Sequence, residues 1–566
     1  MQPGRAVAPA FRLFDRAKRV KGQRHPLLHI LSGLIALAVA SPVLALIAIA
    51  LTGGGEDWPH IARNVLPQSA ATTIWLLLLV SASTATVGVI SAYAIAAYDF
   101  PFRRTLSWAI VLPLAVPPYL AAYALGEFFH YSGPVQTLVR YLFGFQTIRD
   151  YWFPDIRTTG GAALVMSSVL YPYVYLTARV VFLMQSRNVA DAARTLGANR
   201  ARTFFKVLLP LARPAIVAGV ALVLMETLND IGASEYLGVR TLTFSVYATW
   251  LNRGSLAGGA QIALFLLAIV LALLVAEGWA RRKQRFAAQR SSQLKAIPPR
   301  LRLRGPGAVL APVILAIPAL VGFGIPLFVF GRYAYRRMDQ LWTGELASAF
   351  LNSVITASAT AFCTVVIAGL LIYTNRYART RVSPLETRIA SMGYALPGGI
   401  LALGLLFVLS RLDNGIDQFS RVAFDTSTGL IFTGSAAAVV IACVIRFIAL
   451  AEGAIRSGHD KLPPNIEAAA RSLGHTAGES ARLVLLPLLT PAILTAAVLV
   501  FVDTIKELSA TILLRPFGFN TLATYVYEQA SRGAPEDGAF ASLLIVATAL
   551  LPVAILSRML SDDRSA

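Results

Sequence analysis

Long apolar stretches fill most of this chain and are separated by short polar segments. Twelve of the stretches are long enough to cross a bilayer as helices, which takes about 20 residues. In the first half they cover about 27–51, 70–98, 107–129, 161–184, 213–234 and 261–280. In the second half they cover about 308–331, 353–374, 388–410, 430–451, 491–515 and 539–557. The pattern predicts an all-α, polytopic membrane protein with two tandem six-helix halves.

The polar segments define the domain boundaries. We predict a basic tail over 1–26, a first transmembrane half over 27–280, a basic linker over 281–307 and a second transmembrane half over 308–560. The segments assigned to the cytoplasm contain 34 Lys or Arg, against 12 in the segments assigned to the other side. This asymmetry predicts that both termini are cytoplasmic.

Composition agrees with a protein of the lipid bilayer. The hydrophobic fraction is 56%, only 14% of the residues are charged, and mean hydropathy is +0.64. The net charge of +21 does not indicate nucleic-acid binding, because the basic residues lie between apolar spans and not on one amphipathic face. Cys363 and Cys443 lie in apolar stretches and the six histidines are scattered, so the sequence predicts neither a disulfide nor a metal site.

One polar motif occurs twice, about 280 residues apart. The first copy is Asp191-Ala-Ala-Arg-Thr-Leu-Gly197, and the second is Glu467-Ala-Ala-Ala-Arg-Ser-Leu-Gly474. Nine residues after each glycine comes Val-Leu-Leu-Pro, which ends at Pro210 and Pro487. Two such matches identify the chain as a tandem duplication.

Each copy predicts a short helix, a glycine turn and a second helix. Asp191 lies in the first helical turn, where an acidic side chain suits the positive helix end. Ala192 and Ala193 expose little side chain, so another protein can approach the backbone; Gly197 ends or bends the helix, and Pro210 marks a turn towards the next span. The corresponding residues of the second copy are Glu467, Ala469, Ala470, Gly474 and Pro487. Lipid contact alone would not fix such spacing, which favours a docking element over a connector on the headgroups.

The motif resembles the cytoplasmic loop of type I ABC importer permeases. The first copy matches the family pattern throughout, whereas the second has Ala468 at the acidic position and Glu467 one residue earlier. The resemblance covers about 69–280 and 350–557, with the first and seventh spans added to a five-helix core. It implies that each loop is a coupling helix in a groove of an ATPase subunit, that two ATPase copies bind, and that a periplasmic binding protein delivers the solute.

The ATP site is expected on those partners. A phosphate-binding loop needs Gly-Lys followed by Ser or Thr. None of the seven lysines follows a glycine. We therefore expect no cofactor and no catalytic residue on this chain, with ATP and Mg bound by the ATPase; a membrane enzyme is not indicated, because no His, Ser or Cys constellation recurs.

Charged residues inside the predicted spans are candidates for the translocation path. Glu226 and Asp230 are four residues apart, which predicts one helical face of the fifth span, and Asp503 and Glu507 are their equivalents in the eleventh. The four carboxylates either line a path that attracts a cation or hold helices together through hydrogen bonds, helix-end dipoles and pairing with Lys506.

Other side chains in the spans favour structural roles. Arg179 and Arg446 lie about five residues from a cytoplasmic helix end, which predicts side chains that extend to the interface. The phenols of Tyr171-Pro-Tyr-Val-Tyr175 would suit ferric iron. Tyr173, however, points away from the face shared by Tyr171 and Tyr175, which favours packing around a span kinked by proline.

The solute is suggested by resemblance. A single chain of this length with two coupling loops most resembles the ferric-iron permeases of the bacterial inner membrane, and Tyr171–Tyr175 and Thr243-Phe-Ser-Val-Tyr247 are similar to segments of that group. Thiamine, aminoethylphosphonate and polyamine permeases are built similarly and stay open as alternatives. An ion-coupled secondary transporter with parallel repeats is the alternative of a different class.

Overall fold

The computed structural model describes residues 26–52, 58–184, 193, 195–282, 300–338, 342–377, 383–463 and 465–561. The first-half helices are α1 (Pro26–Thr52), α2 (Trp58–Ala97), α3 (Arg103–Ala109), α4 (Pro118–Phe129), α5 (Pro134–Phe143), α6 (Thr159–Met184), α7 (Ala201–Asn229), α8 (Gly232–Tyr236), α9 (Leu242–Leu251) and α10 (Leu256–Arg282). Those of the second half are α11 (Pro306–Arg336), α12 (Gly344–Tyr377), α13 (Ser383–Ala390), α14 (Gly398–Phe424), α15 (Ala437–His459), α16 (Ile466–Ser472), α17 (Gly478–Ile505), α18 (Thr511–Leu514), α19 (Leu522–Ser531) and α20 (Ala539–Ser561). Strands β1 (Tyr98–Asp99) and β2 (Leu301–Arg302) form one parallel ladder.

The prediction of an all-α polytopic membrane protein is confirmed. Ten helices of the described residues are long and apolar enough to cross a membrane, and an eleventh candidate is a pair, Arg103–Ala115 and Pro118–Phe143, bent by 98°. This bend lies inside the predicted span over 107–129, where the adjacent Pro117 and Pro118 interrupt the helical hydrogen bonds. The last predicted span corresponds to α20, whose apolar part, Ala539–Ala554, is shorter than the other candidates.

The helices α7 and α17 each contain a wide π-type turn. The Leu209 N–H bonds to the Phe204 carbonyl in one, and the Leu486 N–H bonds to the Ala481 carbonyl in the other. Pro210 or Pro487 follows at once, and the wider turn accommodates a residue that has no N–H and whose ring crowds the preceding turn. The prediction that Pro210 turns the chain is therefore wrong. The segment after each turn glycine and the span that follows it form one continuous helix.

The two halves pack alike internally and exchange their leading helices. Helices α2, α6 and α7 contact one another, as do α12, α15 and α17. By contrast, α1 packs on α13 and α14 of the second half, and α11 packs on α4 and α6 of the first. Gly404 lies so close to the Pro42 carbonyl that a Cβ there would collide, and the Tyr333 hydroxyl donates to Glu127 at 2.8 Å. Both hydrophobic cores therefore combine residues of both halves.

Candidate functional site

The first copy of the repeated motif ends in a glycine turn of defined geometry. Gly197 has a φ of +84°, and the Ala198 N–H bonds to the Ala193 carbonyl at 3.0 Å. This bond across a left-handed residue closes the end of a helix, and glycine adopts that φ without a steric penalty. Asp191 and Ala192 lie outside the described residues.

The second motif has the same turn. Gly474, which follows α16, has a φ of +93°, and the His475 N–H bonds to the Ala470 carbonyl at 3.3 Å. Ala470 is buried and Ala469 is exposed, while the side chain of Glu467 lies outside the described part of the structure. Equivalent hydrogen bonds in the two motifs mean that the duplication kept a backbone geometry as well as a spacing.

Two leucines that the sequence analysis did not single out project from these turns. Leu196 is 89% exposed and Leu473 is 80% exposed, each directly before the turn glycine. One exposed leucine needs no explanation, but exposed apolar side chains at equivalent tips of both motifs indicate a contact surface for another protein. The Leu-Gly pair common to both copies was the signal in the sequence.

The four predicted intramembrane carboxylates line one cavity between the halves. Glu226 and Asp230 reach it from the first half, and Asp503 and Glu507 reach it from the second. Its volume is about 740 Å³, which includes space open to solvent. The cavity is also lined by three tyrosines and two basic residues, Tyr119, Tyr173, Tyr394, Arg446 and Lys506.

The carboxylates do not lie on two regular helical faces. The helix α7 ends at Asn229, and Asp230 has an extended backbone with a ψ of 115°. Asp230 instead accepts a hydrogen bond from the Ala233 N–H at 2.6 Å, which places it at the start of α8. The predicted shared face of Glu226 and Asp230 is therefore wrong, because the capping carboxylate lies beyond the end of the long helix.

Glu507 has the same role in the second half. The helix α17 ends at Ile505, and Glu507 accepts from the N–H groups of Ala510 and Thr511 at 2.9 and 3.0 Å. It thereby caps the short helix α18, whose positive end suits its charge. In each half, one carboxylate lies on the long helix and its neighbour caps the short helix after the break.

The second-half carboxylates are paired with basic residues. Arg446 Nη1 lies 2.9 Å from Glu507 Oε1, and Lys506 Nζ lies 2.8 Å from Asp503 Oδ1. Arg446 is 7% exposed and Arg179 is 5% exposed, so the prediction that both extend to the interface is wrong. For Arg446 the reason is its partner, because a buried carboxylate offsets much of the cost of burying the guanidinium.

The first-half carboxylates differ. Glu226 faces the Tyr394 hydroxyl at 3.5 Å, and neither Glu226 nor Asp230 forms an ion pair with a Lys or Arg of the described residues. The cavity lining thus has four carboxylates and two basic side chains. The described residues contain no group of three His, Cys, Asp or Glu side chains placed to hold a metal ion.

The tyrosines of the Tyr-Pro-Tyr-Val-Tyr segment have separate roles. The Tyr171 hydroxyl donates to the Ile110 carbonyl at 3.0 Å, and the Tyr175 hydroxyl donates to the Ser107 carbonyl at 2.9 Å. Both rings are fully buried, which confirms the packing interpretation for these two residues. Tyr173, on the other face of α6, lines the cavity.

Equivalent residues meet where the halves face each other. Tyr247 and Tyr527 are 280 residues apart, and their hydroxyl oxygens lie 3.4 Å from each other. Tyr527 also donates to Glu235 at 2.5 Å. Contact between equivalent side chains places a pseudo-two-fold axis at this pair.

Comparisons with known proteins match this two-half organisation. Residues 84–285 and 365–563 each match the model of a family described as binding-protein-dependent transport system inner membrane component. The Fe(3+)-transport system permease protein FbpB 2 of Haemophilus influenzae is 23% identical over 531 residues, which cover 93% of this chain and 96% of that protein.

Two further relatives match a smaller part. The sulfate transport system permease protein CysT of Escherichia coli is 28% identical over 204 residues, which cover 36% of this chain and 70% of CysT. The molybdenum transport system permease protein ModB of Escherichia coli is 28% identical over 209 residues, which cover 36% of this chain and 88% of ModB.

Proposed function

Because the chain belongs to the family of binding-protein-dependent transport system inner membrane components, we propose that it is the fused permease of an ATP-driven importer that moves a metal cation, with ferric iron as the first candidate. Each matched segment falls largely within one predicted half, so the two halves together would form the path across the bacterial inner membrane. The permease provides the path, and its partners bind ATP and deliver the solute.

The charge balance of the cavity is the observation that carries the proposed cargo. Arg446 and Lys506 are each paired with a carboxylate, so ionised Glu226 and Asp230 leave the cavity with net negative charge. Such a site attracts a cation, and carboxylate and phenol oxygens suit a hard one such as Fe³⁺. An oxyanion would meet two carboxylates that form no ion pair with a Lys or Arg of the described residues. The similarity of nearly the whole chain to an Fe(3+)-transport permease supports the same choice.

The continuous helices α7 and α17 suggest how ATP hydrolysis would reach the cavity. Each begins just after the glycine turn of one copy of the repeated motif and ends beside a carboxylate that lines the cavity. An ATPase subunit that binds Leu196 and another that binds Leu473 would therefore move the cavity ends of both helices together. Closing and opening of the two ATPase copies would alternate the access of the cavity between the two sides of the membrane.

Uptake by proteoliposomes tests the cargo. The full chain is reconstituted with the ATPase and the binding protein encoded beside it, and ATP-dependent accumulation of ferric iron, sulfate and molybdate is measured. We expect accumulation of iron alone, and a loss of at least about tenfold in the double variant Glu226→Gln and Asp230→Asn, since tenfold corresponds to only about 1.4 kcal/mol. The control Glu345→Gln, at an exposed position outside the cavity lining, should transport normally.

Different failures of this experiment have different meanings. Accumulation of sulfate or molybdate in place of iron would contradict the proposed cation and leave the permease role intact. Accumulation that continues without the ATPase would contradict the ATP-driven mechanism and favour an ion-coupled carrier.

A further inference from the structure

The short helix α5 exposes an apolar face. Leu138, Tyr141 and Leu142 are spaced to share that face, and they are 56%, 84% and 66% exposed. Large hydrophobic side chains grouped on one surface in this way mark a contact with something other than water. The end of the helix and the loop after it add three more that are over half exposed, Phe143, Ile148 and Trp152.

Polar side chains of α5 face the protein instead. Gln136 donates to the Phe129 carbonyl at 2.8 Å and accepts a hydrogen bond from the Tyr151 hydroxyl at 2.6 Å. Arg140 donates to the Tyr131 carbonyl at 2.8 Å, and its guanidinium carbon lies 4.0 Å from the centre of the Tyr131 ring. These contacts hold α5 against the end of α4 with its apolar face outwards, the reverse of an amphipathic helix on a water-soluble protein.

The distance of α5 from the cavity indicates what covers this face. Leu170, near the midpoint of α6, lines the cavity, which places the cavity near the middle of the bilayer. Thr159 at the start of α6 is about 17 Å from Leu170, and Phe129 at the end of α4 is about 15 Å from Tyr119, which also lines the cavity. Half of the hydrocarbon core of a bilayer is about 15 Å thick. The segment between Phe129 and Thr159 therefore starts and ends at the level of the lipid headgroups, on the side predicted to face away from the cytoplasm.

Aromatic contacts connect this segment to the exposed surface of a spanning helix. Phe328 of α11 is 52% exposed, and its ring packs edge-on against Phe128 with the ring centres 6.4 Å apart. The next residue, Phe129, has its ring centre 6.3 Å from that of Phe153, which is adjacent to the exposed Trp152. Tryptophan and tyrosine are enriched where a membrane meets water, because each ring joins an apolar body to a polar group. The apolar surface of α11 therefore continues into the loop after α5.

We propose that residues 134–152 form an interfacial anchor, and that the phospholipid surface of the leaflet away from the cytoplasm covers its apolar face. Amphipathic helices bind there by inserting the apolar face between the headgroups and the acyl chains. The first turn of α4 lines the cavity, and α5 is bonded to the last turn of α4. Contact of the anchor with lipid thus holds the outer end of a helix that forms part of the cavity wall.

The second half provides a control at a different height. Its helix α14 begins at Gly398, whose N–H bonds to Oδ1 of the cavity residue Asn229 at 2.7 Å, and continues without a break to Phe424. Val422 is 83% exposed and lies about 36 Å farther along α14 than Gly398. A bilayer with its headgroups extends only about 20–22 Å from its middle, so Val422 should face water.

The test is quenching of a fluorophore on the full-length chain in phospholipid nanodiscs. Cys363→Ala removes the more accessible native cysteine, Cys443 is buried, and the label is attached to Leu142→Cys or to Val422→Cys. With phosphatidylcholine brominated on its acyl chains, we expect quenching at position 142 to be at least about twofold stronger than at position 422. Iodide in the buffer should give the opposite order. Equal iodide quenching at the two positions would place α5 in water and overturn the proposal.

Trp152 gives a measurement that needs no label. The difference between wild type and Trp152→Phe isolates the emission of Trp152, and we expect the brominated lipid to quench it. Emission typical of tryptophan in water, unchanged by the brominated lipid, would contradict the anchor. So would a label at position 142 that is protected from iodide only when the purified binding protein is added, because the apolar face would then be a site for that protein and not for lipid.

Discussion

The two halves share a backbone and differ in how they compensate charge. Glycine turns, π-type turns and helix breaks recur at equivalent positions. At one equivalent position the first half has a neutral residue, Asn229, where the second has Lys506. In the second half Lys506 pairs with Asp503, and Arg446 pairs with Glu507. In the first half Glu226 and Asp230 form no ion pair with a Lys or Arg of the described residues. The comparison teaches that the two halves share a backbone geometry, whereas only one of them balances its cavity carboxylates with its own basic residues.

Breaking the buried pair of the second half should have the largest effect. Arg446→Met leaves Glu507 buried without its basic partner, and we expect a loss of about 3–5 kcal/mol in the free energy of unfolding, measured in mixed micelles. Adding Glu507→Gln should recover much of this loss, because no unpaired charge then stays buried. The matched first-half change, Glu226→Gln, removes a charge that has no ion-pair partner and should cost less than about 1 kcal/mol. Equal losses for Arg446→Met and Glu226→Gln would contradict the comparison.

Substitutions at the two exposed leucines, Leu196 and Leu473, should instead have similar effects in both halves. Leu196→Asp and Leu473→Asp each place a charge on a contact surface, and we expect each to weaken ATPase binding about 30-fold, or about 2 kcal/mol, as for a buried interface anchor. Affinity is measured by titrating the purified ATPase onto the permease in nanodiscs. Val422→Asp is the control, since Val422 is 83% exposed near the end of α14, in a segment predicted to lie on the opposite side of the membrane. Unchanged affinity in both turn variants would remove the leucines from the docking surface.

The turn glycines should be equally sensitive in both halves. A Cβ added to Gly197 or Gly474 meets no atom within 4 Å, so alanine there introduces backbone strain without a collision. We expect each Gly→Ala change to destabilise its turn by about 1–2 kcal/mol, seen as faster hydrogen exchange of the Ala198 or His475 N–H that closes the turn. Gly→Asn should recover part of the loss, because asparagine tolerates a positive φ better. Clearly unequal changes at the two turns would argue against a shared backbone geometry.

The smallest expected effects concern the tyrosine pair on the pseudo-two-fold axis. Tyr527→Phe removes the 2.5 Å bond to Glu235, and we expect a loss of about 1 kcal/mol. Tyr247→Phe removes only the 3.4 Å contact, and we expect about half of that loss. Both are measured as changes in the unfolding midpoint. A larger loss for Tyr247→Phe would contradict this order, because it would make the 3.4 Å contact stronger than the bond from Tyr527 to Glu235.

Hydropathy and the internal repeat were sufficient to predict much of this molecule. The membrane spans could be predicted from apolar runs, because a helix that crosses the bilayer consists mostly of apolar residues. The glycine turns follow from a repeated Leu-Gly, because a position with positive φ excludes most other residues. The repeat also made it possible to predict a common cavity for four carboxylates, because they occupy equivalent positions of the two halves. These are Glu226, Asp230, Asp503 and Glu507.

Other features depend on contacts that periodicity does not report. No proline or glycine stands at Asn229 to indicate that α7 stops there, so Asp230 was assigned to the wrong element. The partner of Arg446 lies 61 residues away, in the break between α17 and α18, which local sequence cannot indicate. The packing of α1 and α11 on the opposite halves could not be predicted from the sequence either. The composition of an apolar helix does not indicate which of several apolar neighbours it contacts.

That exchange of leading helices has a consequence for the covalent join between the halves. The leading helix of each half packs on helices of the other half. In α1, Pro42 lies against Gly404, and in α11, Tyr333 donates a hydrogen bond to Glu127. We therefore expect two polypeptides divided within 283–299 to assemble with each other, because the contacts of α1 and α11 with the opposite halves do not depend on the covalent join.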